Sequence, residues 1–265
     1  MRSPVPVEEL QRAWSAVQAG EFRTNNSSRR RGVSTWTPTE PTIVVAGAAG
    51  RVGASTVAVS MATACDRSVR VVESGPMHTT GLAAATTAEL GVTDTGWRRG
   101  TRDRVLIERT TSAFDRVDDV PTPEGSDCEL TIVDASWDLN QVIRADSWLT
   151  SLISDAPMLI VTVATVPGLR ALDTALQMTA RPHDTWCAVL GPSLKKWPKA
   201  LRTAANPRVQ TAIDTGRLTT IPTVPTLAMT GLTTDPLPPH LVTACTPVLG
   251  QLVEHTKGNH HAELR

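Results

Sequence analysis

The chain has 265 residues, with 26 basic and 26 acidic side chains and a formal net charge of zero at pH 7. Apolar residues make up 40% of it, enough for a substantial core, which excludes wholesale disorder. The charge balance excludes a global polyanion-binding surface but not a local basic patch.

Residues 6–20 are predicted as a short amphipathic helix, with Val7, Leu10, Trp14 and Val17 on one face and Gly20 at its end. Residues 22–41 are polar, basic and punctuated by proline, which is linker composition, and they carry the triplet Arg29–Arg31. Such a helix either packs back on the domain behind it or docks a protein partner through the face centred on Leu10 and Trp14. The N-terminus has acidic residues and no apolar signal core, and no apolar run reaches the roughly 18 residues that span a bilayer. A cytoplasmic protein without membrane attachment is therefore expected. The domain plan is a helix over 1–21, a linker over 22–41, an α/β domain over 42–256 and a polar tail over 257–265, which includes His260 and His261.

Within the domain, strands are predicted at Ile43–Ala46, Val69–Glu73, Arg104–Arg109, Leu130–Asp134, Met158–Val163, Trp186–Leu190 and Thr219–Ile221. Several are continuous apolar runs, as in a parallel sheet buried on both faces. Between them lie helical patterns. Ser55–Cys65 is apolar nearly all round, Leu139, Val142, Ile143, Leu149, Leu152 and Ile153 share one stripe, and Leu169, Leu172 and Leu176 share another. Alternating strand and helix patterns predict a doubly wound, mostly parallel α/β sheet. Cys65, Cys128, Cys187 and Cys245 are far apart with no paired spacing, so reduced core cysteines are expected rather than a zinc site. Tyrosine is absent, and the Ala-, Thr-, Val- and Arg-rich composition points to a GC-rich genome such as that of an actinobacterium.

The stretch Val44–Thr56, VVAGAAGRVGAST, runs from a buried strand through a Gly-rich turn into a helix that opens on Ser55 and Thr56. Glycines let the backbone wrap an anion, and the helix N-terminus adds partial positive charge. A hydroxyl of Ser55 or Thr56 would be placed for Mg²⁺.

This loop resembles that of the ParA/MinD group of P-loop ATPases, whose loop reads K-G-G-x-G-K-[ST]-T. In that alignment Ala49 stands at the signature lysine, Gly50 matches, Arg51 replaces a glycine, Val52 and Gly53 match, and Ala54 replaces the phosphate-binding lysine; Ser55 and Thr56 match the hydroxyl pair. CELTIVDASWDL resembles the family's second acidic strand, with Asp134 in the Walker B or switch II position, where it would hold Mg²⁺ through water or orient an attacking water. Ala156–Leu176 resembles the next strand-and-helix unit, and Arg217–Leu241 resembles the late segment whose loop passes over the nucleotide base. Glu73 ends the second strand, where the family often has an aspartate near the nucleotide; a capping or surface role is the other reading. The resemblance covers residues 42–253 and implies ATP or ADP with Mg and work in the positioning, partition or transfer of mobile DNA; the family dimerises around ATP, but without the lysine that Ala49 replaces a constitutive monomer or a nucleotide-independent homodimer is open.

The same loop also resembles that of Rossmann dinucleotide-binding proteins, through Gly47-x-x-Gly50-x-x-Gly53, with Glu73 placed to meet a ribose hydroxyl. The absence of tyrosine excludes an active short-chain dehydrogenase but leaves an NAD(P)-binding regulator open. A scaffold that binds neither ligand is the third alternative.

Both family lysines are gone, so the resemblance implies a degenerate member: a slow ATPase using Arg51 as a substitute cation, a binder without turnover, or a pseudo-ATPase. Gly191–Arg208 holds Lys195, Lys196, Lys199, Arg202 and Arg208, no acid, and an interleaved Trp197. It is either a solvated face or a surface for DNA phosphates. Gly96–Arg104, GWRRGTRDR, is a further basic cluster.

Overall fold

The structure, a computed structural model, describes residues 35–263, with side chains through Thr256. The predicted helix over 6–20 with Leu10 and Trp14, the Arg29–Arg31 triplet and the side chains of the polar tail lie outside the described residues.

β1 (Thr42–Gly47), β2 (Val69–Glu73), β3 (Ala88–Val92), β4 (Trp97–Arg102), β5 (Val105–Thr110), β6 (Leu130–Asp134), β7 (Met158–Val163), β8 (Thr185–Leu190) and β9 (Leu218–Ile221) form one sheet in the order β3-β4-β5-β2-β6-β1-β7-β8-β9. Every pairing from β5 to β9 is parallel. The sheet is wound on both faces. α1 (Ala54–Ala64) and α8 (Pro239–Glu263) cover one face, and α2 (Leu139–Arg144), α3 (Trp148–Asp155), α4 (Val166–Met178), α5 (Lys199–Ala204) and α6 (Pro207–Asp214) cover the other. α7 (Pro225–Thr230) follows β9.

The alternation within β1 shows why its run is continuous. Ile43 and Val45 pack with Val57 and Met61 of α1 and Leu249 of α8, whereas Val44 and Ala46 pack with Leu149 and Leu169 on the opposite face. Both sets are fully buried, so each residue of the strand must be apolar.

Four sequence expectations need correction. β3 and β4 were not foreseen; they form an antiparallel hairpin on the β5 edge, with a bulge between Glu89 and Gly91. The stripe from Leu139 to Ile153 is two helices, because Ala145 ends α2 and Ser147 accepts the Thr150 amide as the N-cap of α3; Ile143 is left exposed. The basic cluster over Gly96–Arg104 is no free cationic surface. Arg102 is buried, and Arg99 meets Glu108 at 2.6 Å and Glu124 at 3.5 Å. Finally, the end of the predicted linker is fastened to the domain. The fully buried guanidinium of Arg70 meets Glu40 at 2.7 Å and Glu108 at 3.2 Å, and lies 5.3 Å from the ring centre of Trp36. The backbone of α8 continues through Glu263, so residues 257–263 of the polar tail extend the last helix.

Candidate functional site

The C-terminal ends of β1, β6, β7, β8 and β9 open on a cleft of about 550 Å³. In open α/β sheets the crevice beyond the strand ends is where ligands bind. The residues after β1 form its floor: Ala49, Gly50, Arg51, Val52, Gly53, Ala54, Ser55 and Thr56 all line it. The loop is shaped by two left-handed residues. Gly53 has φ 90°, and a Cβ there would lie 2.9 Å from Leu190 Cδ2, so glycine is required on both counts. Arg51 has φ 60°, a glycine-like backbone carried by a bulky residue, and its side chain is exposed. Val52 lines the cleft but is buried in the core.

α1 starts at Ala54 directly behind Gly53, and no side chain caps it. The amides of its first turn have no intrahelical acceptor and face the floor of the cleft with the positive end of the helix dipole.

Two carboxylates stand beside this helix start. Glu73 and Asp134 are register partners at the tips of β2 and β6. Each is two residues beyond a residue packed toward α1, Val71 and Ile132 respectively, so both project to the α1 face. Both are fully buried. Glu73 accepts a short bond from the Thr80 hydroxyl and one of 2.7 Å from the Gly81 amide. Burial foremost, and the Asp134 charge beside it, raise the Glu73 pKa to about 7. Burial also raises that of Asp134, against the opposing effect of the Ser55 and Ser136 side chains. Asp134 Oδ1 accepts from the Ser136 amide at 3.2 Å, while Oδ2 is buried with no hydrogen-bond partner. An orphaned oxygen on a carboxylate that lines a cleft is costly unless a ligand, water or cation completes it.

These positions correct two expectations for Glu73. It is neither a helix cap nor a surface residue. Nor can it take the Rossmann ribose role beside the loop strand, because β6 lies between β2 and β1, whereas the dinucleotide fold places its first two strands side by side.

The rest of the cleft was less legible. Pro222, Thr223, Val224, Leu227, Leu232 and Leu241 form an apolar wall beyond β8 and β9, within the segment expected to pass over a base. Thr79, Gly81, Ser136, Trp137 and Asp138 line the opposite end, and sequence reasoning missed them. Trp137 stacks on Phe114 at 6.0 Å and donates to the Ser74 carbonyl at 2.9 Å. Asp138 accepts the Asn140 amide and so caps α2. The only sequence signal for these residues was their nearness to Glu73 and Asp134.

A magnesium nucleotide fits part of this site. The cleft is large enough, the loop and the uncapped helix offer amides to phosphate, and Ser55 with the orphaned Asp134 oxygen supplies hard oxygen donors for Mg²⁺. The cations that usually accompany phosphate are not supplied, since Arg51 is the single Lys or Arg among the described lining residues.

Lys195, Lys196, Lys199, Arg202 and Arg208 are exposed, on the turn after β8 and on α5 and α6, away from the cleft lining; Arg208 meets Asp173 at 3.6 Å. Trp197 is not available to stack on a base: it is buried, and its indole donates to the Pro192 carbonyl at 3.0 Å.

A glycine loop between a central parallel strand and an uncapped helix, with an acidic residue at the tip of the neighbouring strand, defines the class of P-loop folds. Solved structures place the fold more closely. The chain is similar to the MinC:MinD cell division protein complex of Aquifex aeolicus, at 16% identity over 81% of this chain and 96% of that one, with a TM-score of 0.51. It is similar to MinD of the same organism at 15% identity over 81% and 97%, with a TM-score of 0.50. An AMPPNP-bound putative plasmid partition protein of Borrelia burgdorferi matches at 11% identity over 82% and 99%, with a TM-score of 0.49. The fold is thus that of the ParA/MinD P-loop proteins. No family model and no curated protein matches the chain. No helix among the described residues is long and apolar enough to cross a membrane.

Proposed function

We propose that this chain is a degenerate member of the ParA/MinD family that binds a magnesium nucleotide in the cleft and turns it over slowly or not at all. The observation that carries the proposal is the glycine loop leading into an uncapped α1, with the unpartnered Asp134 oxygen beside it. A P-loop accelerates phosphoryl transfer by meeting developing charge with fixed cations, and losing one such group typically costs about 10²–10³ in rate. Ala49 and Ala54 carry no charge, and Arg51, the substitute at hand, has an exposed side chain.

The protein would then act by binding and assembling, in the positioning, partition or transfer of a plasmid or other mobile DNA in the cytoplasm, in an organism of actinobacterial type. MinD of similar fold is found in a complex with MinC, which supports a protein partner here, engaged through Leu10 and Trp14. A homodimer is part of the proposal. The exposed Lys195, Lys196, Lys199 and Arg202 suit non-specific contact with DNA phosphates.

The test is isothermal titration of the purified full chain with ATP–Mg²⁺, ADP–Mg²⁺ and NADPH, repeated on Arg51→Ala and Asp134→Ala. Micromolar binding of an adenine nucleotide, weakened by Asp134→Ala and dependent on Mg²⁺, is expected. Binding of NADPH alone would revive the dinucleotide reading, and silence with all three would leave a scaffold.

A further inference from the structure

We infer that Arg102 is a positioning residue for the cleft: it fastens the wall that receives the base, so affinity for a whole nucleotide, but not for its phosphates alone, depends on it. The inference rests on the nucleotide reading above and adds a residue that lies outside the cleft lining.

The cleft divides its chemistry between two ends. The glycine loop and the start of α1 offer amides to phosphate, beside the acidic end formed by Asp134 and Asp138. The wall of Pro222, Val224, Leu227 and Leu232 is apolar, which suits the flat face of a base and not a phosphate. Leu232 belongs to the connection between α7 and α8. Over residues 232–237 that connection has no regular structure, and only Leu232 and Leu237 are buried. Its internal bonds join Thr233 to Asp235 alone: the hydroxyl donates to the carboxylate at 3.0 Å and accepts from the Asp235 amide at 3.2 Å.

The bonds that tie this connection to the sheet come from Arg102, the last residue of β4. Its side chain is buried; Nη1 donates to the Thr233 carbonyl at 2.5 Å and to the Ala85 carbonyl at 2.9 Å, and Nη2 donates to the Asp235 carbonyl. Among the described residues, no other group outside residues 232–237 is hydrogen-bonded to them. The segment that holds Ala85 is better secured, since Glu73 accepts the Gly81 amide at 2.7 Å and Arg109 donates to the Ala83 carbonyl at 3.2 Å. Loss of the guanidinium therefore loosens residues 232–237 first, because two carbonyls there lose their donor. A site whose competent arrangement is populated about a tenth of the time binds about tenfold more weakly. The phosphate end is built on β1 and α1 and does not use this connection.

The experiment is calorimetric titration of the full chain with ADP–Mg²⁺ and with pyrophosphate–Mg²⁺, on wild type, Arg102→Met and Arg102→Lys, with circular dichroism to check that each variant folds. Arg102→Met is expected to weaken ADP about tenfold and leave pyrophosphate unchanged; Arg102→Lys, which keeps the charge but not the fork, should lie between. Hydrogen exchange on the wild type needs no variant: ADP–Mg²⁺ should slow exchange over residues 232–237, and pyrophosphate–Mg²⁺ should not. Equal weakening of both ligands would make Arg102 a general support of the fold and overturn the inference. So would unchanged ADP binding in a folded variant, ADP binding that leaves exchange over 232–237 unaltered, or pyrophosphate that fails to displace ADP from wild type. Those results leave the nucleotide reading standing, whereas wild type that binds no adenine nucleotide would overturn both.

Discussion

The ion network beneath the sheet allows a sharp stability test. Arg70 is fully buried and bonds to Glu40, Glu108, the Thr131 hydroxyl at 2.8 Å and the Glu124 carbonyl at 2.7 Å. Replacing it by Met keeps the volume and deletes the charge. Glu108 would retain Arg99 at 2.6 Å, and Glu40 would retain the short bond from Thr131 and one from the Thr39 hydroxyl at 3.3 Å, but no cation. The variant therefore leaves one buried carboxylate without a cation. Removing one member of a buried pair costs about 3–5 kcal/mol, and the lower half of that range applies because Glu108 is still paired. For a domain of this size, about 3 kcal/mol lowers the midpoint of thermal unfolding by roughly 6–12 °C. Urea unfolding of wild type and Arg70→Met at pH 7 reads the cost directly. Adding Glu40→Gln to the variant should recover more than about 1 kcal/mol, as coupled sites do. The pH dependence has a definite sign. Burial raises the Glu40 pKa, but the Thr131 bond and Arg70 outweigh it and hold it below the ordinary value of 4.5. A depressed carboxyl stabilises the fold above its unfolded pKa, and that contribution is lost as pH falls through the folded value. The gap between wild type and variant should hold from pH 7 down to the ordinary value of 4.5 and shrink only as pH falls below it. A cost below about 1 kcal/mol with no pH dependence would refute the reasoning.

Three further outcomes follow from particular contacts. Arg102→Met loses bonds to the Ala85, Thr233 and Asp235 carbonyls and should cost about 2–3 kcal/mol in urea unfolding; limited proteolysis should show residues 231–238 cleaved first, and unchanged cleavage there would count against the clamp. Glu73→Gln should stabilise the metal-free protein at pH 8. The wild-type carboxyl, raised from 4.5 to about 7, costs stability that grows as pH rises through that window, so the gain should be on the order of 2–3 kcal/mol at pH 8 and vanish near pH 4.5. Gly53→Ala should cost about 1–3 kcal/mol and weaken nucleotide binding, because it strains a left-handed residue and drives a Cβ against Leu190; a neutral result by thermal unfolding would mean that the loop is softer than its geometry implies.

The parts of the fold legible in the sequence are those where burial leaves no choice. β1, β2, β6, β7 and β8 lie in the middle of the sheet, and both faces of each are covered, so apolar runs mark them. The β3–β4 hairpin escapes for the opposite reason. Every residue of β3 is exposed, Gly91 lies inside it, and the arginines of β4 read as a surface cluster because their carboxylates, Glu89, Glu108 and Glu124, come from elsewhere in the chain. In the same way Glu40 and Arg70 meet across thirty positions, so composition alone assigns the end of the anchored segment to a linker. At the candidate site, the glycine loop, Ser55, Glu73 and Asp134 were visible because each is fixed by a strand end or a helix start. Trp137 and the apolar wall required the three-dimensional arrangement: Trp137 is set by the turn after β6, and the wall reaches the loop only as the chain returns past β9.

The bonds around the acidic end bear on how such a protein would use its ligand. Trp137 ties the segment after β6 to the Ser74 carbonyl, and Ser74 Oγ donates to the Ala135 carbonyl at 2.5 Å. Glu73 ties the turn at Thr80 and Gly81 back to β2. The two segments that a terminal phosphate would otherwise order are therefore already bonded to each other and to the sheet. A phosphate-driven switch needs a ligand with differential affinity for two arrangements of these segments. A cleft with few cations and cross-bonded walls offers a triphosphate little of that difference. What remains available to a nucleotide here is the mass-action stabilisation of one arrangement, which grows with ligand concentration and needs no hydrolysis.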